Sequence, residues 1–270
     1  MMQKVIIVGC CGSGKSTLAR KLHVLTGLPL YYLDNIFWKR DKTHISRDEF
    51  DEKLAEILNR DSWIIDGDYN RTYEPRIAAC DTVIFLDYAE EVCMEGITNR
   101  VGQKREDMPW VAEKVDPELV ELVKEFDKKH KPKLLALLVK YPEKRVVTLH
   151  SRDEAYKWML KEFVIGATVE GHVDRPLGTA HPDHPTMVYP INYGYVDGIM
   201  AEDDEEQDVY ILGSDKPLTT YKGKIIAVYH RTNDNEDKWI VSLGDRDYMD
   251  EEILEAIHFQ EKYFEGELLR

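Results

Sequence analysis

KVIIVGCCGSGKS, residues 4–16, opens with a β-branched apolar run and ends in a glycine-rich turn. Leucines at 18, 22 and 25 then recur at a helical spacing. The order is strand, turn, helix. Gly9, Gly14, Lys15 and Ser16 fit the pattern G-x-x-x-x-G-K-[ST], and a strand before it with a helix after it is the context the pattern requires. Gly9, Gly12, Ser13 and Gly14 form a turn whose backbone N–H groups can wrap phosphate oxygens, and the helix N-terminus adds positive potential. Lys15 is expected to reach the β- and γ-phosphates of a nucleotide, Ser16 to help hold Mg²⁺, and Thr17 to close the site. The expected nucleotide is ATP.

Moving outward from this stretch, LPLYYLD, SWIIDGDY, TVIFLD and RVVTLHS are four further short apolar runs. Helical patterns lie between them, over residues 48–59 and 117–139. Phe50, Leu54 and Leu58 place one face of the first helix inward. Strands alternating with helices predict an α/β three-layer P-loop domain with a parallel sheet.

Beyond residue 163 the texture changes. IGATVEGHVD, YPINYGYV, QDVYILG, GKIIAVYH and DKWIVSLG are short strand patterns with turn residues between them. This spacing predicts a small, mainly antiparallel β-barrel. A C-terminal helix is expected over 250–267 with Asp250 as its N-cap. The expected division is 1–162 and 163–270.

Charge follows the same division. The chain carries 36 basic and 51 acidic residues. Residues 1–163 hold 27 basic and 28 acidic side chains, and residues 164–270 hold 9 and 23. So acidic a second half disfavours a nucleic-acid partner and favours divalent cations. No apolar run approaches the ~20 residues of a membrane span. The four cysteines have neither zinc spacing nor a disulfide framework, so reduced thiols in the cytoplasm are expected.

Asp203, Asp204, Glu205, Glu206 and Asp208 fall within six positions. Such carboxylates either splay into water or surround a hard cation, for which oxygen ligands are suited. Asp208 enters an apolar strand and needs a partner. A second acidic knot, NDNEDKWIV, offers Asp234, Glu236 and Asp237 beside Lys238. Two such knots on adjoining strands suggest a multi-metal phosphate site. His172, His181 and His184 are poor ligands for Mg²⁺, and HPDHP reads as a proline-set loop.

Residues 3–160 resemble small adenylate-kinase-like P-loop kinases of the kind called DNA topology modulation proteins. LDNIFW, WIIDGDYNRTYEPR and DTVIFLD carry the resemblance. It implies Asp34 as an acceptor contact and Asp87, or its rival Asp66, as the acid supporting the metal. Arg71, Arg76, Arg100 and Arg105 become candidates for phosphate, Arg100 foremost.

Residues 165–265 resemble the soluble family I inorganic pyrophosphatases in a shortened form. The motifs VDRPLG, YPINYGYVDG, D-x-E-x-x-D-V, NEDK and HFQEKY occur in the family's order. The resemblance implies a small five-stranded barrel, several Mg²⁺ ions and hydrolysis of pyrophosphate. By position, Asp203, Glu205 and Asp208 match metal acids, as do Asp234 and Glu236 or Asp237. Arg175, Tyr193, Lys238 and Tyr263 match phosphate-binding groups. Glu205 stands where the family has Asp, Gln207 where it has an aliphatic residue, and Phe264 where it has Lys. The family's early hairpin is reduced to IGATVEGHV. The resemblances together imply a two-domain enzyme acting on small molecules, a Mg²⁺-dependent inorganic diphosphatase fused to an ATP-binding kinase-like domain. The alternative is a nucleotide sensor whose barrel only binds Mg²⁺ or phosphate.

Overall fold

A computed structural model describes residues 2–201, 205–234 and 236–270. The chain divides into two compact units, Met1–Tyr156 and Lys157–Arg270, a few residues ahead of the expected 162/163.

The first unit begins with β1 (Lys4–Gly9) and α1 (Lys15–Thr26), then β2 (Leu30–Tyr32), α2 (Leu33–Phe37), α3 (Arg47–Leu58) and β3 (Trp63–Asp66). It continues through α4 (Tyr73–Ala79), β4 (Thr82–Leu86), α5 (Glu90–Thr98), α6 (Pro117–Glu125), α7 (Lys131–Lys140), β5 (Arg145–Leu149) and α8 (Arg152–Met159), which runs across the division. The strands form one parallel sheet in the order β2-β3-β1-β4-β5. Ile6, Ile7, Val8, Ile64, Ile65, Val83 and Ile84 are shut off from solvent. Burying each such side chain contributes about 1.5–3 kcal/mol, and their continuous apolar runs are those of strands covered on both faces. The chain turns to opposite sides of β1, so a crevice opens at the carboxyl ends of the central strands.

LPLYYLD is expected to run as a strand up to Asp34, but the strand stops at Tyr32. Leu33 is buried as the first residue of a short helix, and the Trp38 N–H bonds to the Asp34 carbonyl to close it. Asp34 thereby enters a first helical turn, where a carboxylate is favoured by the backbone dipoles. A single π-type turn, Phe126–His130, interrupts the long helical pattern between α6 and α7.

The second unit holds β6 (Thr168–Arg175), β7 (Asn192–Met200), β8 (Glu206–Leu212), β9 (Thr220–Arg231), β10 (Lys238–Ser242), α9 (Asp250–Glu261) and β11 (Gly266–Leu269). Pairing runs β10-β8-β7-β6-β9 and closes because β9 also pairs β10, giving a five-stranded barrel. Among the described residues of this unit, only the β8–β10 pair is parallel, and β11 adds to one end of β9. Tyrosines fill the interior, with Tyr189, Tyr193, Tyr210 and Tyr229 packed against Ile240 and against Ile253 and Ile257 of α9.

The C-terminal helix departs from expectation at both ends. Met249, not Asp250, precedes the first helical residue, and the Glu252 carboxylate takes the Met249 N–H at 2.9 Å. The helix stops at Glu261, because the last residues satisfy their backbone groups by pairing with β9. Among the described residues, no helix is long and apolar enough to cross a membrane.

Candidate functional site

The first unit builds its site where β1, β2 and β3 end. Gly9, Gly12 and Gly14 have φ of 143°, 87° and 94°, left-handed backbone that a glycine adopts without strain. Gly12 and Gly96 of α5 also press directly on each other's backbone surroundings. A Cβ on Gly12 would sit inside the Cys93 carbonyl, and one on Gly96 inside the Gly12 carbonyl. The Lys15 ammonium is buried and donates to the Gly9 and Cys10 carbonyls at 2.8 Å each. The Ser16 hydroxyl donates to Asp107 at 2.9 Å, and Arg105 forms an ion pair with that same carboxylate. Ser13 is buried and Thr17 is exposed on the helix.

Four carboxylates surround this lysine-bearing loop. Asp66 ends β3 and is 4% exposed, and its Oδ1 is buried with no hydrogen-bond partner. Burial pushes its pKa up to about 6 against the pull of Lys15. Asp34 and Asp68 are raised for the same reason, although Tyr69 donates to Asp34 at 2.8 Å and the Tyr73 hydroxyl and the Gly9 N–H donate to Asp68. Burial raises Asp107 too, but the hydrogen bond and charge of Arg105 outweigh it and hold that carboxyl below its ordinary value. A cavity of about 410 Å³ opens beside them, with Lys15, Ser16, Asp34, Trp38, Arg100 and Trp110 in its wall. The two tryptophans meet edge to face at 5.5 Å.

Asp66 has a place in this cavity wall. Asp87, the other candidate for the metal-supporting acid, follows β4 on the far side of β1 and pairs with Lys131 at 2.6 Å. Arg76 is fully buried and donates to the carbonyls of Gly67, Tyr69 and Thr72, so it shapes the loop after β3. Arg71 holds Asp51 at the surface. Arg100 lines the cavity, half-buried, and burial lowers its pKa.

The second unit centres on Lys238. It begins β10, is 1% exposed, and its ammonium donates to Asp208, to Glu236 at 2.7 Å and to the Tyr193 hydroxyl at 3.2 Å. Register explains the meeting. Arg175 lies opposite Tyr193, Tyr195 opposite Asp208, and Val209 opposite Trp239, so neighbouring strands carry these side chains to one end of the barrel. Burial and then the Asp208 charge raise the Tyr193 phenol well above its usual pKa, which keeps its proton in place. Arg175 pairs with its neighbour Asp174 at 2.6 Å, and Tyr263 is exposed beyond α9.

The expected metal acids are spread among different partners. Asp208 and Glu236 converge on Lys238; Asp234 binds Arg231 at 2.7 Å; Asp237 faces His230 at 2.9 Å. Glu205 is exposed ahead of β8, and Asp203 lies outside the described residues. Among the described residues, no group of three or more His, Cys, Asp or Glu is placed to hold a metal ion.

Residues 168–264 match the family model for inorganic pyrophosphatase. That span contains the whole Lys238 constellation. The N-terminal region is similar to adenylate kinases of Thermotoga petrophila and Thermotoga maritima, each 32% identical over 89 residues, 32% of this chain. The chain spans about two fifths (40%) of the length of these curated relatives. Among solved structures, an inorganic pyrophosphatase from Neisseria gonorrhoeae aligns at 18% identity and TM-score 0.31, over 38% of this chain and 80% of its own. A gluconokinase from Sinorhizobium meliloti 1021 aligns at 15% identity and TM-score 0.36, over 57% and 86%. The chain thus joins a region similar to adenylate kinase to a region matching pyrophosphatases.

Sequence reasoning missed Asp68, Asp107, Trp110 and Arg231. Asp68 lies in IIDGDYNR beside a residue already singled out. Arg231 stands three positions before Asp234, a spacing at which an arginine can fold back on an acid.

Mg²⁺ fits the first site by donor chemistry, since Ser16 supplies a hydroxyl and Asp66 a buried oxygen lacking a partner. At the barrel a cation of the protein already lies on each side of Glu236: the Lys238 ammonium between it and Asp208, and the Arg231 guanidinium between it and Asp234. Asp208 is about one-third exposed and keeps carboxylate oxygen for an ion, whereas the guanidinium is closed in.

Proposed function

We propose that residues 163–270 form a Mg²⁺-dependent inorganic diphosphatase, and that residues 1–162 bind ATP and pass its γ-phosphoryl group to a small acceptor. Both would work in the cytoplasm on small molecules. The observation that carries the reading is Lys238, an ammonium held between two carboxylates and a phenol inside the region matched by the pyrophosphatase model. A buried ammonium beside acids is a ready partner for a phosphate oxygen once substrate competes for it. Lys238 and the Tyr193 hydroxyl would bind one phosphoryl group, with Arg175 and Tyr263 at the rim for the other. Mg²⁺ on Asp208 and Glu236, with Asp203 and Glu205 from the adjoining loop, would supply Lewis acidity toward phosphoryl oxygens and water. Asp208 would orient the attacking water and take its proton as the water oxygen bonds to one phosphorus; the bridging P–O bond breaks, and its oxygen leaves on the second phosphate with the electron pair.

In the first unit the glycine loop, Lys15 and Arg100 would hold the triphosphate, and Ser16 with Asp66 would hold its Mg²⁺. Asp34 would meet the acceptor in the cavity between Trp38 and Trp110.

The test is phosphate release by the full chain from pyrophosphate, ATP and polyphosphate, with Mg²⁺ and with chelator. Mg²⁺-dependent release from pyrophosphate that Lys238→Met lowers about 10²–10³-fold is the expected result; no release at any Mg²⁺ concentration rejects hydrolysis. That result would leave the second reading, a nucleotide sensor whose barrel only binds Mg²⁺ or phosphate. The reduction of the early hairpin to IGATVEGHV favours this second reading.

A further inference from the structure

The pyrophosphatase resemblance implies a metal pair at Asp234 and Glu236, yet a cation of the protein itself lies there. Arg231, the last residue of β9, sends Nη1 to Asp234 at 2.7 Å and to Glu236 at 3.5 Å. Its Nε and Nη2 take both oxygens of Glu261, on α9, at 2.8 Å each. The Phe264 ring lies 3.4 Å from the guanidinium carbon, and the Tyr210 hydroxyl donates to Glu261 from the barrel interior. Arg231 is 2% exposed and Glu261 4%. A bidentate fork on a buried carboxylate fixes the plane and position of a guanidinium that keeps its proton under all ordinary conditions.

The charges alternate along this end of the barrel, from Asp208 to Lys238 to Glu236 to Arg231 to Asp234, with Glu261 behind the arginine. Four carboxylates meet two cations.

We infer that Arg231 takes the place of a divalent ion at the Asp234–Glu236 knot, so that the barrel's divalent uptake is confined to the Asp208 side. Arg231 is then a positioning residue. It does not reach solvent, and it acts by holding Glu236 where Lys238 and an ion beside Asp208 can share it. The inference rests on reading the barrel as a divalent-ion site, but not on hydrolysis.

The experiment counts Mn²⁺ bound per full chain by paramagnetic resonance, with Mn²⁺ alone and no substrate. The double variant Arg231→Met, Glu261→Gln removes the guanidinium together with its buried counter-charge. It is expected to bind one more Mn²⁺ per chain than the natural sequence, while Arg231→Lys keeps the natural count. An unchanged count in a folded double variant overturns the inference. Should the double variant not fold, Asp234→Asn decides. An unchanged count upholds the inference, and loss of one ion overturns it. Failure of diphosphatase activity would appear in phosphate release and leave this count untouched.

Discussion

Both units gather carboxylates at one end of a sheet, and they neutralise them in opposite ways. Around the glycine loop Asp34, Asp66 and Asp68 all feel the buried Lys15 ammonium, with Arg76 and Arg105 nearby, yet burial outweighs these cations and raises the pKa of all three. In the barrel Asp208, Asp234, Glu236 and Asp237 each have a lysine, arginine or histidine within ion-pair distance. The first arrangement carries excess negative potential that a proton or an arriving divalent ion relieves. The second is largely complete before any ligand arrives. An acid-rich sequence therefore does not by itself predict a metal cluster; it matters whether basic residues fold into the same space.

The pairing in the barrel depends most on Glu261. Glu261→Ala leaves Arg231 buried without its fork, at a cost of about 3–5 kcal/mol. Denaturant unfolding of the full chain should show the second unit melting early, and an unchanged midpoint would mean that the pairing is incidental. Lys238→Met should lower phosphate release about 10²–10³-fold, as loss of one preorganised donor does, with the circular dichroism unchanged.

Asp66 sharpens the contrast through pH. Its pKa is raised from 3.8 to about 6 in the folded chain. A raised carboxyl favours folding while it is protonated, so its contribution is complete below about pH 4 and is lost as pH climbs through about 6. Asp66→Asn should remove that loss, adding about 3 kcal/mol at pH 7.5 relative to the natural chain at the same pH. Urea melts at pH 5 and pH 7.5 measure it; identical gains at both would exclude the buried carboxylate as the cause. The smallest effect belongs to the exposed Arg71–Asp51 pair, where Arg71→Ala should change stability by no more than ~1 kcal/mol. A larger loss would show that surface pairs count here as much as the buried ones.

How far the sequence could be read depended on the range of the interaction. The glycine loop is a local pattern, and its strand and helix flank it as expected. Barrel strands announced themselves by short β-rich runs between turns. The choice between Asp66 and Asp87 was not legible, because it depends on β3 and β4 lying on opposite sides of β1, which only the assembled sheet fixes. LPLYYLD read as one strand because Leu33 is apolar in either conformation, and burial against the sheet selected the helix. Arg231 stayed hidden among acids because its main partner, Glu261, lies 30 residues away on a different element.

The contact between Gly12 and Gly96 has a mechanical result. With backbone against backbone and no room for a methyl group, the glycine loop and α5 share one rigid boundary. Any ångström-scale tightening of the loop must displace that helix. The segment beginning at Arg100 emerges directly after it, so the movement is delivered to the arginine that borders the cavity beside Lys15.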